Sequence, residues 1–293
     1  MTLSPPLVAA VSVEGLRKRY GEQEALRGVS FELREGEVFS LLGPNGAGKT
    51  TTVEILEGYR RRDGGIVSVL GEDPARASRA WRGRIGVVLQ SSAMYETLTV
   101  RESLEVFGGY YGRPRPVAEV VEIVGLEEKA DTRVSRLSGG QRRRLDFGLA
   151  LVGDPELIFL DEPTTGFDPG ARRNAWEAIR SLRTLGKTIL LTTHYLDEAE
   201  QLSDRVAVLR EGQIVAEGTP ADLTRTPVTE IRWREDGHMR FEHTHEPTRV
   251  LHELTARALE ADRELEQLEV RRPSLEDVYL QLTEDAPEDE PAA

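Results

Sequence analysis

The sequence predicts an α/β fold built on a parallel sheet, and three observations predict it. The run Val38-Phe39-Ser40-Leu41-Leu42 leads straight into Gly43-Pro44-Asn45-Gly46-Ala47-Gly48-Lys49-Thr50, a glycine-rich loop of the pattern GxxxxGK[ST] set between a strand and a helix. Further unbroken runs, Ile85 to Leu89, Leu157 to Leu160 and Thr188 to Leu191, have the composition of strands buried on both faces. The Leu157 run ends in Asp161-Glu162, two carboxylates at the carboxyl edge where open α/β sheets bind ligands.

The glycines let the loop bend until successive backbone N–H groups point inward, which makes a cradle for phosphate oxygens. Lys49 can reach the β and γ phosphates of a nucleotide, and the Thr50 hydroxyl is a candidate Mg²⁺ ligand. The helix predicted over roughly Lys49 to Leu56 adds its positive N-terminal end, with Thr51 in the first turn. A glycine turn with a chance lysine is the plainer reading; the strand before and the helix after argue against it.

A chain of 293 residues suffices for one sizeable core and a small second domain. No apolar run approaches the roughly eighteen residues of a spanning helix. Met1 to Val11, with Pro5-Pro6 and no basic segment, does not make a secretory signal, so a soluble protein of the cytosol is expected. The absence of cysteine excludes disulfides and thiolate metal sites. A formal net charge of −13 argues against nucleic acid as the main partner. Only four of the 38 basic residues are lysine, so Arg60-Arg61-Arg62 and Arg142-Arg143-Arg144 read, on charge alone, as compositional bias and solvated surface.

Taken in order, Val11/Val13 and Val29/Phe31/Leu33 alternate around a turn at Gly21, which predicts antiparallel strands. Tyr20 at that turn can either stack on an adenine base or simply pack at a strand end. Asp63-Gly64-Gly65 is a turn before a strand over Ile66 to Leu70. Gln90 closes the Ile85 strand at its carboxyl edge, placed for Mg²⁺ or the attacking water, although most glutamines at such positions are loop residues. Residues 91–150 turn helical, with helices over Leu98 to Val106 and Val117 to Val124. Within this insert Leu137-Ser138-Gly139-Gly140-Gln141 opens a helix running to about Val152. Ser138 can cap it and Gly139-Gly140 leave N–H groups open, a second anion cradle. One ATP needs one cradle, so the second suggests ATP held between two copies of the chain.

Asp161 is suited to hold Mg²⁺ and Glu162 to orient and polarise the attacking water. Asp168 is a candidate cap of the helix after Gly166-Phe167-Asp168-Pro169. His194, after Thr192-Thr193, can donate to a γ-phosphate or serve only the structure. Val206 to Leu209 and Gln213 to Val215 form a hairpin through Arg210-Glu211-Gly212. These elements make a domain over 1–222, followed by an α+β accessory domain over 228–283 and an acidic, disordered tail over 284–293. The accessory domain reads as a hairpin around Asp236-Gly237, a helix over about Thr248 to Ala261, a strand over Leu265 to Arg271 and a helix over Ser274 to Leu282. Its histidines, His238, His243 and His245, lack metal-ligand spacing.

Gly43 to Thr50, Gln90, Leu137 to Gln141, Leu157 to Glu162, Asp168 and His194 occur in the order and rough spacing of the ATP-binding-cassette ATPases, which the chain resembles from Val11 to about Thr219. The resemblance implies a P-loop NTPase of that type, with a RecA-like core, an antiparallel β subdomain and a helical subdomain. It also implies Tyr20 as the adenine-stacking aromatic, Gln90 as the loop that senses a membrane partner, Glu162 as the catalytic glutamate and His194 as the switch histidine. Phe167 stands where the family usually has leucine, a change between apolar residues. Arg142-Arg143-Arg144-Leu145-Asp146 and the terminal Pro273-Ser274-Leu275-Glu276-Asp277-Val278-Tyr279 are similar to the daunorubicin-resistance and polysaccharide-export branch. That branch implies ATP and Mg²⁺, a head-to-tail dimer of ATPase subunits and a separate ABC-2 type membrane permease. It places the chain peripherally on the cytoplasmic face of the membrane. A cassette ATPase acting mechanically on a cytosolic complex is the rival reading.

Overall fold

The computed structural model describes residues 9–88, 95–224, 229–235 and 237–271. Gln90, the helix expected over Ser274 to Leu282 and the acidic end of the chain lie outside the described residues. The chain divides into two compact units after Glu217, ahead of the boundary expected at 222.

The first unit opens with β1 (Ala9–Tyr20), β2 (Gln23–Arg34), β3 (Val38–Leu42), α1 (Lys49–Leu56) and β4 (Gly64–Val69). After α2 (Arg79–Arg82) and β5 (Ile85–Val88) comes the helical insert of α3 (Val100–Gly108), α4 (Val117–Ile123) and α5 (Gly139–Leu151). β6 (Leu157–Asp161), α6 (Pro169–Thr184), β7 (Thr188–Thr193), α7 (Leu196–Leu202), β8 (Arg205–Arg210) and β9 (Gln213–Gly218) complete it. β1 pairs antiparallel with both β2 and β4, with Val13 opposite Phe31 and Val11 opposite Val69, so the alternating apolar residues share one face.

The six-stranded sheet runs β5-β6-β7-β3-β8-β9, and β5 through β8 pair in parallel. Its inner strands β6, β7, β3 and β8 are buried along most of their length, and mainly apolar, because both faces are covered, whereas the edge strand β9 alternates between exposed and partly buried residues. Leu157 and Phe159 pack with α1 and the antiparallel sheet, whereas Ile158 and Leu160 pack with α3 to α6. Parallel pairing also sets the site. With Asp161 opposite Thr192 and Leu42 opposite Thr193, the carboxyl ends of β6, β7 and β3 open on one edge.

In the second unit α8 (Pro220–Leu223) precedes β10 (Thr229–Glu235), β11 (His238–Thr244), α9 (Pro247–Glu260) and β12 (Glu266–Arg271). The strand order is β11-β10-β12, and Val250 and Leu254 of α9 bury Ile231 and Trp233. Among the described residues no helix is long and apolar enough to cross a membrane.

Candidate active site

The loop after β3 needs its glycines for measurable reasons. A Cβ on Gly43 would stand 2.2 Å from the Leu209 carbonyl oxygen. Gly48 holds φ at +107°, and a Cβ there would meet Leu26 Cδ2 at 2.6 Å and the Ala25 carbonyl at 2.8 Å. Gly46, at φ +84°, faces open space. The loop therefore rests tightly on β2 and β8 and leaves its outer side free. A cavity of about 480 Å³ lies on that side, lined among others by Asn45, Gly46, Gly48, Lys49, Thr50 and Thr51, with Glu162, Thr165 and His194 opposite.

Lys49 is buried, and its ammonium donates to the carbonyls of Gly43 (2.8 Å) and Pro44 (3.1 Å) and lies 3.2 Å from Glu162 Oε1. Glu162 stands in the left-handed region, φ 45°, at the end of β6. Its N–H donates to Thr192 Oγ1 and its Oε2 accepts from Thr165 Oγ1 at 3.1 Å. Burial alone would raise the Glu162 carboxyl; the Lys49 charge, the hydrogen bonds from Lys49 and Thr165, and His194 outweigh it and hold it below its ordinary value. His194 Nδ1 approaches Glu162 Oε1 at 3.5 Å and is enclosed without a hydrogen-bond partner. Next to Glu162, Asp161 Oδ1 accepts from Thr192 Oγ1 at 2.5 Å. Burial pushes Asp161 above its ordinary range, against hydrogen bonds from Thr192 and Thr50. A threonine hydroxyl and a carboxylate brought into hydrogen-bonding contact are the hard oxygen donors Mg²⁺ takes, so these residues fit that ion.

A second cavity, of about 660 Å³, is lined by Ser138, Gly139, Gly140 and Gln141 together with Gly166 and Asp168. Ser138 Oγ accepts from the Gln141 N–H (3.3 Å) while Gln141 Oε1 accepts from the Ser138 N–H (3.0 Å), a reciprocal cap of α5. Asp168 caps α6, its Oδ1 accepting from Gly170 and Ala171 N–H groups that hold its carboxyl below the ordinary value.

Most of the expected residues fall into two clefts, one of Asn45, Gly46 and Gly48 to Thr51 with Glu162 and His194, the other of Ser138 to Gln141 with Asp168; Asp161 and Tyr20 line neither. Gly43 and Pro44 turn their carbonyls to Lys49, and Ala47 is buried under the loop, its carbonyl accepting from Gly212. Tyr20 is 40% exposed, with the Arg60 guanidinium 5.2 Å and the Lys18 ammonium 5.5 Å from its ring centre. Residues unforeseen in the sequence are Thr165 and Thr192, which hold the two carboxylates. A hydroxyl at the carboxyl end of the neighbouring strand was the available signal for Thr192. The Arg142 to Arg144 run requires a correction: Arg143 is buried, not solvated, and donates to the Pro163 carbonyl. In the second unit His243 pairs with Glu230 at 3.1 Å. Among the described residues no three His, Asp or Glu side chains converge on a common point for a metal.

Comparison with known proteins places this geometry. The sequence model described as ABC transporter matches residues 26–165. The chain is 43% identical over 300 residues to a Nod factor export ATP-binding protein I of Rhizobium sp. (strain N33), covering 94% of this chain and 97% of that one. It is 48% identical over 225 residues to the protein of the same name from Paraburkholderia xenovorans (strain LB400), covering 75% and 74%. Among solved structures it is similar to the ADP conformation of an ATP-binding cassette of an ABC transporter, at 28% identity and a TM-score of 0.66, over 73% of this chain and 92% of that one.

Proposed function

Since this chain belongs to the ABC transporter ATP-binding proteins, cassette ATPases coupled to transport, we propose that it is the ATP-hydrolysing subunit of an exporter. Its relatives are named for export, and the cargo class we assign is a small drug-like molecule, a lipid or a glycan. A separate ABC-2 type membrane subunit conducts the cargo, and the chain sits on the cytoplasmic face of the membrane. The observation that carries the catalytic reading is Glu162, ionised between Lys49 and His194 at the mouth of the phosphate loop.

In this reading the N–H groups of Asn45 to Thr51 and the Lys49 ammonium take the phosphates of ATP, and Tyr20 takes the base. Binding exchanges the Gly43 and Pro44 carbonyls for phosphate oxygens around Lys49. Glu162, kept ionised by its neighbours, accepts a hydrogen bond from the attacking water and orients it in line with the γ-phosphate. His194 donates from the other side and holds that phosphate in place. Thr50 and Asp161, with Gln90, would hold Mg²⁺, which supplies positive charge to the β and γ phosphates. Ser138 to Gln141 and Asp168 come from a second ATPase subunit, an identical copy, so closing the dimer completes each site and hydrolysis reopens it.

The test is to solubilise host membranes in mild detergent and identify what co-purifies with the tagged chain. A multi-span membrane protein at equal stoichiometry is expected. Recovery with a cytosolic complex and no membrane protein would overturn the exporter reading and leave the ATPase standing.

A further inference from the structure

Beneath the turn that presents Glu162 lies a set of buried polar side chains from four elements. On one side is Arg143 of α5, one turn beyond the Ser138 cap. It is 6% exposed, its Nε donates to the Pro163 carbonyl at 2.9 Å, and its Nη1 lies 3.5 Å from Asp146 Oδ2. On the other side is Glu198 of α7, fully buried. Its Oε1 accepts from Thr164 Oγ1 at 2.8 Å and from Trp176 Nε1 of α6 at 3.0 Å, and the Thr193 hydroxyl hydrogen-bonds it as well. Thr164 is itself fully buried. Residues 163 and 164, directly after Glu162, are therefore gripped from two directions. One grip comes from the helix capped by Ser138. The other comes from a carboxyl that also touches the helix capped by Asp168 and the strand leading to His194.

Burying these groups is costly unless they are hydrogen-bonded; Glu198 meets this through Oε1, which takes both the Thr164 hydroxyl and the Trp176 N–H, while its Oε2 is enclosed without a hydrogen-bond partner. Packing alone does not call for a carboxyl at 198: an apolar side chain would fill the space, but it would leave the Thr164 hydroxyl and the Trp176 N–H without a partner. What the polar set adds is a defined position for the turn. Glu162 needs that definition, because its φ of 45° is one that a non-glycine residue keeps only when its surroundings hold it there. The 163–164 grip, with Thr165 and Thr192 on Glu162 itself, provides the restraint.

We propose that Glu198 and Arg143 are positioning residues of the ATPase: through Thr164 and the Pro163 carbonyl they set the placement of Glu162, and they tie that placement to the helices capped by Ser138 and Asp168. Neither group touches nucleotide. The proposal rests on Glu162 acting on the attacking water, and it gives the second cleft a route to that carboxylate within one subunit.

The test uses steady-state ATP hydrolysis by the full chain, with kcat and KM resolved. Thr164→Val removes one hydroxyl at nearly constant volume, and a displaced Glu162 predicts about a tenfold loss in kcat with KM for ATP held within about twofold. Glu198→Ala should lose more. Glu198→Gln, whose amide oxygen still accepts from Thr164 and Trp176, should restore kcat to within about threefold of the parent. Arg143→Lys, which cannot reach Pro163 and Asp146 together, should lower kcat by about threefold or more. The proposal is overturned if Thr164→Val and Arg143→Lys both keep parental kcat, or if kcat and KM worsen in proportion, as general loss of structure would produce. Should Glu198→Ala fail to fold, the Thr164 and Arg143 variants decide. Glu162→Gln run alongside keeps the two questions apart: parental turnover there sinks the Glu162 assignment, whereas its loss together with unaffected Thr164→Val and Arg143→Lys sinks only this inference.

Discussion

The Lys49 cleft is built from buried charge, with Lys49 3.2 Å from Glu162 and His194 3.5 Å beyond it. The Ser138 cleft is built from exposed backbone, a capped helix end and one carboxylate already satisfied by N–H groups. The first has what bond-breaking needs: a charge placed in advance and kept from water, so that it need not reorganise during the reaction. The second has what recognition of an anion needs and lacks a group able to move a proton. Under the function proposed above, two clefts so different in one chain divide the labour: one reacts, the other completes a neighbour's site.

Four measurements would break or sharpen this contrast. The largest effect is expected from Glu162→Gln, which keeps shape but cannot take up a proton. ATP hydrolysis should fall by about a thousandfold with ATP affinity preserved, in equilibrium nucleotide titration beside turnover. Turnover near the parent would remove the reactive character of the first cleft.

Next is the backbone of each cradle. Gly48→Ala must carry a side chain at φ +107° and push against Leu26 and Ala25, at a cost of about 2–4 kcal/mol. Gly139→Ala faces open space and should stay within about 0.5 kcal/mol of the parent. Urea unfolding reads both, and equal costs would mean that the two loops are equally confined.

Glu57, at the end of α1, tests the buried charge from below. Its Oε1 is enclosed without a partner, and burial, with Asp161 and Glu54 nearby, pushes its carboxyl up to about 8. A raised carboxyl binds in the folded chain a proton that the unfolded chain has released. Its contribution to stability is therefore complete below about 4.5 and is lost as pH rises through about 8. Glu57→Gln should remove about 2 kcal/mol of the stability difference between pH 6 and pH 9. An unchanged pH profile in denaturant melts would show that Glu57 titrates normally.

The smallest effect is expected from Ser138→Arg. Filling the anion cradle should lower turnover by about tenfold and leave single-chain ATP binding unchanged, while loss of the α5 cap lowers the melting temperature by only a few degrees, as a cap worth about 1 kcal/mol would. Normal turnover would end the shared-site reading.

Much of the fold was legible in the chain because local chemistry dictates it. The GxxxxGK[ST] loop needs its glycines, Ser138 and Asp168 are helix caps by residue type, and unbroken apolar runs mark strands covered on both faces. The positions of Asp161 and Glu162 at a strand's end were readable for the same reason. Arg143 was misread because charge alone marks surface, and only the packing of α5 shows a guanidinium buried against Pro163. Thr165 and Thr192 went unremarked because hydroxyls carry no motif.

Among the described residues, the sequence by itself determined the main strands, the glycine-rich loop and the helices that follow Gly48, Ser138 and Asp168, since spacing and residue type act over a few neighbours. Only the tertiary structure decided that β7 lies between β6 and β3, bringing Asp161 beside Thr192 and Glu162 beside Lys49. It also decided that Asp168 joins Ser138 in one cleft and that Glu198 sits beneath the turn of Glu162. Those pairings join residues thirty or more positions apart. They depend on strand order and on which charges the core can satisfy, quantities that no local pattern encodes.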